Sequence, residues 1–228
     1  MIGVIVPAHD EAQSIGRCLA SIALAAAHPG LEREPVLVVV ALDACSDATA
    51  AVCAEHGAST VAVDAHCVGM ARAAAARQAL AQGARWIAST DADTAVPSDW
   101  LWRQSRCGAD AFCGVVEVVD WLDYPERVRK AFSEREVAQD GHRHVHGANL
   151  GMSATAYLAA GGFPALRTGE DVALVEALAS NGAHIAWLAQ PAVATSARRS
   201  ARAPHGFSGF LLALECEVMG GASLMPEF

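Results

Sequence analysis

The sequence predicts a single α/β domain built on a Rossmann-like, mostly parallel sheet flanked by helices. Three observations lead there. Apolar, strand-like runs alternate with segments of helical composition over the first ninety or so residues, as strand–helix–strand units require. The run Val36-Leu37-Val38-Val39-Val40-Ala41-Leu42 is apolar at every position, as a strand is when both of its faces are covered. Polar and acidic segments then follow three of the strands, at Pro7–Glu11, Asp43–Thr49 and Asp91–Thr94. That carboxyl edge is where open α/β sheets gather their ligands.

Each element has a local reason. Ile2–Val6 is a β-branched run, and Ser14–Ala27 carries Ile15, Leu19 and Ile22 at the spacing of one helix face. Pro35 precedes the second strand, and Asp43 stands at its end. A helix over about Ser46–His56, a short strand over Ser59–Val63 and a helix over about Met70–Ala81 follow. Arg85–Thr90 is the fourth strand. Farther on, Glu170-Asp171 opens a helix with Leu174, Val175 and Leu178 as its apolar stripe, and Ala183–Leu188 is a later strand. A chain of 228 residues suffices for one full core, and residues 1–228 read as one domain.

Composition removes several classes of function. A formal net charge of -9 with 18% charged residues argues against a nucleic-acid surface. Seven cysteines without a C-x-x-C pair indicate neither a disulfide framework nor a zinc knuckle, and a reducing cytoplasm fits them. Pro7, His9, Asp10 and Glu11 interrupt the amino-terminal apolar run, so it does not read as a signal peptide. No stretch is long and apolar enough to span a bilayer. Phe207, Phe210, Leu211 and Leu212 can touch a membrane surface or dock onto the core. The first strand lacks a following G-x-G-x-x-G, which disfavours a dinucleotide cofactor.

The acids carry the chemistry. Asp91 and Asp93 flank Ala92 just past a buried strand, and side chains at alternate positions project the same way. They can share one hard divalent cation, Mn²⁺ or Mg²⁺, that holds a diphosphate. A solvated turn or a helix cap is the bland alternative. Asp47 and Thr49 read as cap residues of the second helix. Arg198, Arg199 and Arg202 form a local cationic group in a chain with one lysine, Lys130, suited either to clamping a diphosphate or to a solvated loop. Strand alternation puts His142, His144 and His146 on one face, but no neighbouring cysteine or acid in the sequence completes a zinc site. Acceptor contacts or a polar strand face suit them better.

Three ordered segments resemble the motifs of family 2 glycosyltransferases with the GT-A fold. They are Val4-Ile5-Val6-Pro7-Ala8-His9-Asp10-Glu11, Asp43-Ala44-Cys45-Ser46-Asp47-Ala48-Thr49 and Thr90-Asp91-Ala92-Asp93-Thr94. Gly147-Ala148-Asn149, Gly161-Gly162-Phe163 and Glu170-Asp171 resemble that family's acceptor half. The sequence departs from the pattern at Asp10, where the family usually has asparagine, and at Ala177, near where a helical arginine often follows.

The resemblance implies a GT-A domain with residues of about 1–97 as the nucleotide-binding half and about 98–228 as the acceptor half, the latter with a smaller mixed sheet. It implies transfer of a sugar from a nucleotide-diphosphate donor, with UDP favoured, to a hydroxyl acceptor. Pro7, Ala8, Glu11, Asp43, Arg72, Asp91, Ala92, Asp93, Arg198 and Arg199 would meet the donor. Asp93 and Asp91 would hold the metal, with His205 as a candidate ligand from the tail. His146, Gly147 and Asn149 would border the acceptor. Asp171 would be the general base of an inverting reaction, with Glu170 orienting it or binding acceptor. A nucleotidyltransferase and a non-catalytic nucleotide-sugar-binding protein are the alternatives.

Overall fold

The computed structural model describes residues 1–199 and 206–220. Among them, one sheet of seven strands runs in the order β3-β2-β1-β4-β6-β5-β7. The strands are β1 (Ile2–Ala8), β2 (Val36–Asp43), β3 (Ser59–Val63), β4 (Trp86–Ser89), β5 (Ala111–Val118), β6 (Leu150–Ser153) and β7 (Ile185–Thr195). The helices are α1 (Ile15–Ala26), α2 (Thr49–Glu55), α3 (Val68–Ala81), α4 (Trp100–Ser105), α5 (Glu126–Arg135), α6 (Ala154–Ala159), α7 (Glu170–Ser180) and α8 (Phe207–Val218). Strands β1 to β4 pair in parallel, β6 runs antiparallel to both β4 and β5, and β7 is parallel to β5.

Strands β6, β5 and β7 therefore extend the nucleotide-side sheet, and among the described residues a distinct acceptor-side sheet is not seen. The physical reason is the edge of β4. Its backbone pairs with β6 from Trp86↔Ser153 to Ser89↔Leu150, so one hydrogen-bonded ladder crosses between the halves. β6 is not legible in the sequence because it has four residues, one of them Gly151.

Helices cover both faces, each with its own apolar cluster. α1 buries Ile15, Cys18, Leu19, Ile22 and Ala25 on one face, where Trp100, Leu101, Phe132 and Leu211 join it. On the other face α3 presents Ala71, Ala75, Ala76 and Ala79 to β1 and β2, beside α6 and α7. Alanine lets that helix lie close: a Cβ added at Gly3 of β1 would fall 2.7 Å from Ala79 Cβ. No described helix is long and apolar enough to cross a membrane.

Two other expectations shift. α2 begins at Thr49 and not near Ser46, because the Asp10 carboxylate accepts from the Ser46 and Asp47 N–H groups and holds them in a turn. His142, His144 and His146 lie in a loop and not on a strand, although their rings still stack in sequence.

Candidate active site

The carboxyl ends of β1, β2, β4 and β7 surround a cavity of about 490 Å³. Pro7, Ala8, Asp43, Cys67 and Val68 line one part of it, and Asp91, Ala92, Asp93 and Arg198 the centre. Asp43 is committed to the backbone. Its Oδ1 accepts from Ala65 and His66 N–H at 2.7 and 3.0 Å, and its Oδ2 from Cys67 N–H at 2.7 Å. Burial pushes its pKa up, but the three N–H groups outweigh this and hold it below the ordinary value. It thereby fixes the entry to α3. His9 donates from Nδ1 to the Asp43 carbonyl at 2.7 Å, and its ring meets His66 edge-on at 5.4 Å.

Asp47 and Thr49 brace the turn into α2, whose N-cap position is Ala48 with no side-chain hydrogen bond. Asp47 accepts from Thr49 N–H at 2.9 Å, and Thr49 Oγ1 accepts from Glu11 N–H at 2.8 Å. Glu11 is buried, and its carboxylate meets Ser14 Oγ and Arg198 Nη1.

Arg72 is the buried hub. Its guanidinium donates to Glu170 Oε1 at 3.0 Å, Asp91 Oδ1 at 2.6 Å, the Gly147 carbonyl at 3.0 Å and Ser89 Oγ. Only 3% of the residue is exposed, so the two carboxylates supply the counter-charge that burial demands. Gly147 must be glycine for this: a Cβ there would lie 2.4 Å from Arg72 Nη2. Gly69, one helical turn earlier, would clash with the Pro164 carbonyl at 2.0 Å if it carried a Cβ.

Asp171 opens α7 on the opposite wall. Its Oδ2 accepts from the Gly147 N–H at 2.7 Å, so the same glycine ties Arg72 to Asp171. Glu170 lines the same cavity but is buried against Arg72, and burial raises its pKa against the pull of that arginine. Arg198 reaches the acids from the end of β7, because Thr94 and Thr195 are joined through their hydroxyls and Ala95 pairs with Ala194. Its Nη2 lies 3.4 Å from Asp93 Oδ2. The buried Arg198 Nε has no hydrogen-bond partner among the described residues, which leaves a donor for an anion.

Residues 3–151 match the sequence profile described as Glycosyl transferase family 2. The chain belongs to that family. The glycosyltransferase is also similar in fold to solved structures. S. aureus TarS 1-349 in complex with UDP-GlcNAc superposes with a TM-score of 0.66 at 16% identity, over 98% of this chain and 67% of that one. A longer S. aureus TarS structure gives 0.63 at 17%, over 85% of this chain and 36% of that one. The mannosyltransferase PcManGT from Pyrobaculum calidifontis, in complex with GDP-Man and Mn²⁺, gives 0.60 at 17%, over 100% and 76%. The glycosyltransferase thus spans about a third of the longest of these chains. At such identities the likeness is one of fold, consistent with a GT-A-like domain. No curated protein matches by sequence.

Two residues expected in the cavity of this glycosyltransferase lie elsewhere. Asn149 is 0% exposed and saturated: its amide donates to the Val115 and Pro191 carbonyls, and its oxygen accepts from Trp100 Nε1 and Gln104 Nε2. It pins β6 to β5 and β7 and does not face the cavity. Arg199 turns outward, forks onto Glu215, pairs with Asp123 and stacks on Tyr124. It anchors α8. His205 and Arg202 lie outside the described residues. His66, Glu136, Phe207 and Phe210 line the cavity unannounced by any motif, and His9 joins them from within the first one.

The fit of a divalent cation can be judged from the donor set. Burial pushes the pKa of Asp93 up to about 6, with Arg198 opposing it, so this carboxylate lacks a full counter-charge. Asp91 offers a second oxygen donor beside it. Both are hard ligands. Among the described residues no group of three or more His, Cys, Asp or Glu is arranged to hold a metal. The two acids are hard oxygen donors of the kind such an ion takes, and by themselves they do not complete a site.

Proposed function

We propose that this glycosyltransferase moves a sugar from a nucleotide-diphosphate donor, UDP favoured, to a hydroxyl acceptor with inversion. The observation that carries the reading is the placement of Asp171 in one cavity with Asp91, Asp93 and Arg198, joined to Asp91 through Gly147 and Arg72. Mn²⁺ or Mg²⁺ held by Asp91 and Asp93 would supply positive charge against the departing diphosphate. Residues of about 1–97 would bind the nucleotide and about 98–228 the acceptor. The free thiols suit a reducing cytoplasm.

In this scheme the acceptor oxygen bonds to the anomeric carbon as the bond to the diphosphate breaks, and the hydroxyl proton passes to Asp171. The Gly147 N–H fixes Oδ2 of that carboxylate. Arg198, freed from Glu11 and Asp93 when an anion arrives, turns its guanidinium to the phosphates. Arg72 holds Asp91 in place and lines the same cavity as the acids, where it would add positive charge beside the donor.

A panel of UDP-, GDP- and dTDP-sugars with Mn²⁺ tests the reading by donor hydrolysis or transfer. Asp171→Asn should lower kcat by about 10²- to 10⁴-fold, the usual share of a general base, while a UDP-induced rise in Tm persists. Unchanged kcat would remove Asp171 from the chemistry.

A further inference from the structure

Glu136 stands at the carboxyl end of α5 on the cavity wall, and none of the donor chemistry uses it. His146 Nε2 lies 3.1 Å and His144 Nδ1 3.2 Å from the same oxygen, Oε2. Burial pushes the Glu136 pKa up, but the His146 hydrogen bond and the nearby imidazoles outweigh it and hold it below the ordinary range. An ionised carboxylate only accepts, so His146 donates from Nε2 and His144 from Nδ1. Both histidines belong to a segment, residues 137–146, that forms neither helix nor strand. Its middle is tied to β7, where the Gly141 N–H donates to the Trp187 carbonyl at 2.8 Å and the Ala189 N–H to Asp140 Oδ1 at 2.9 Å. Its end is tied to Glu136.

That end carries a peptide plane on which Asp171 depends. The His146 carbonyl and the Gly147 N–H share one rigid plane. The carbonyl accepts from the Asn149 N–H at 2.9 Å, and the N–H donates to Asp171 Oδ2 at 2.7 Å. Asp171 Oδ1 accepts from the Val172 N–H of its own helix at 2.9 Å, so among the described residues Gly147 supplies the hydrogen bond that reaches this carboxylate from outside α7. The next plane is held separately, since Ser89 Oγ and Arg72 Nη1 both donate to the Gly147 carbonyl, at 2.8 and 3.0 Å. Gly147 cannot stiffen the first plane itself, because it has no side chain to limit its rotation and no room for one beside Arg72. The restraint has to come from His146.

We propose that Glu136, acting through His146, is a positioning residue for Asp171. Clamping the imidazole fixes the backbone of His146, and with it the plane that aims the Gly147 N–H at Oδ2. Without the clamp that plane can rock, while the Gly147 carbonyl stays on Ser89 and Arg72. Asp91 and Asp93 keep their arginine partners. The effect therefore falls on turnover and not on donor binding, and a misplacement of about 1 Å can cost about 10²-fold in rate. The catalytic half of this inference rests on the glycosyl-transfer reading; the coupling of Glu136 to Gly147 does not.

The test labels histidine with ¹³C at the carbonyl and glycine with ¹⁵N, so that only His56-Gly57, His146-Gly147 and His205-Gly206 give filtered amide signals. His56→Gln and His205→Gln each remove one signal, which identifies Gly147. In the wild type its amide should be protected from hydrogen exchange, and exchange at the rate of an open loop would overturn the proposal. Glu136→Ala should speed that exchange by about 10-fold or more, as for the loss of one hydrogen bond to a charged group. It should also lower kcat by about 10-fold or more, with the donor KM and the UDP-induced rise in Tm unchanged. Glu136→Gln, whose amide oxygen still accepts from His146, should restore most of both. If the Ala variant fails to fold, His146→Leu should show the same faster exchange. Folded variants whose Gly147 amide exchanges as in the wild type, faster exchange with unchanged kcat, or a Gln variant as impaired as the Ala one would overturn the proposal. Faster exchange in the variants, with no transfer by the wild type from any nucleotide sugar, would uphold the coupling and sink the glycosyl-transfer reading.

Discussion

Replacing Arg72 by Met keeps an unbranched side chain in place and deletes the guanidinium, which makes it a direct measure of the buried hub. The variant loses donors to Glu170, Asp91, Ser89 and the Gly147 carbonyl. The decisive loss is at Glu170, since the side chains of Arg72 and Glu170 are 4% and 5% exposed. Removing one partner of such a pair leaves an uncompensated buried charge and costs about 3–5 kcal/mol. The contact with Asp91 adds little to that figure, because the Asp91 side chain is 36% exposed and water screens it. For a domain of this size each kcal/mol moves Tm by about 2–4 °C, so Arg72→Met should lower Tm by about 6–20 °C. Urea unfolding of Arg72→Met, Glu170→Gln and the double variant forms the cycle. In the Glu170→Gln background no buried charge is orphaned, so the Arg72 change should cost at least about 2 kcal/mol less. A cost for Arg72→Met under about 1 kcal/mol, or two changes that add within about 0.5 kcal/mol, would refute the hub.

Asp93 makes stability depend on pH. Its pKa rises on folding from 3.8 to about 6, chiefly through burial. Between those values the folded protein keeps a proton that the unfolded chain has lost, so stability should fall as pH rises from about 4 to about 6, by about 3 kcal/mol at most. Asp93→Asn should flatten that slope in metal-free urea titrations and abolish the Mn²⁺-dependent rise in Tm with UDP; a slope that survives the change would assign it elsewhere. Gly69→Ala would put a methyl 2.0 Å from the Pro164 carbonyl and 2.8 Å from that of Leu166. The α3 start and the 164–166 backbone would have to separate, at a cost of about 1–3 kcal/mol, and a Tm equal to wild type would show that this crossing is loose.

Apolar periodicity and strand-end chemistry suffice to place β1 to β4 and the helices between them, with boundaries off by a few residues. Those features are local, because burial on both faces of β2 or one face of α1 is written in neighbouring residues. The same locality makes Asp47 and Thr49 legible as residues at the start of α2, although the cap position itself is Ala48. β5, α5 and α8 escape a reading of the sequence because their patterns are broken, by Gly114 within β5, by Gly209 within α8 and by the scarcity of apolar residues in α5, which buries only Val128 and Phe132.

What the tertiary structure alone decided is which charged groups meet. Glu170 and Asp171 are adjacent in sequence and line one cavity, yet one is bound by Arg72, 98 positions away, and the other by the Gly147 N–H. Arg198 and Arg199 diverge in the same manner: Arg198 crosses 187 positions to Glu11, while Arg199 swings out to Glu215. Asn149 passes from acceptor contact to core fastener, and Glu136 enters the site unheralded. By itself the sequence determined a parallel sheet with acids at its carboxyl edge, since residue type and spacing set burial and strand direction. The partner of each acid depends on how β6, β5 and β7 continue that sheet, because a side chain pairs with whatever the backbone brings within about 3 Å of it.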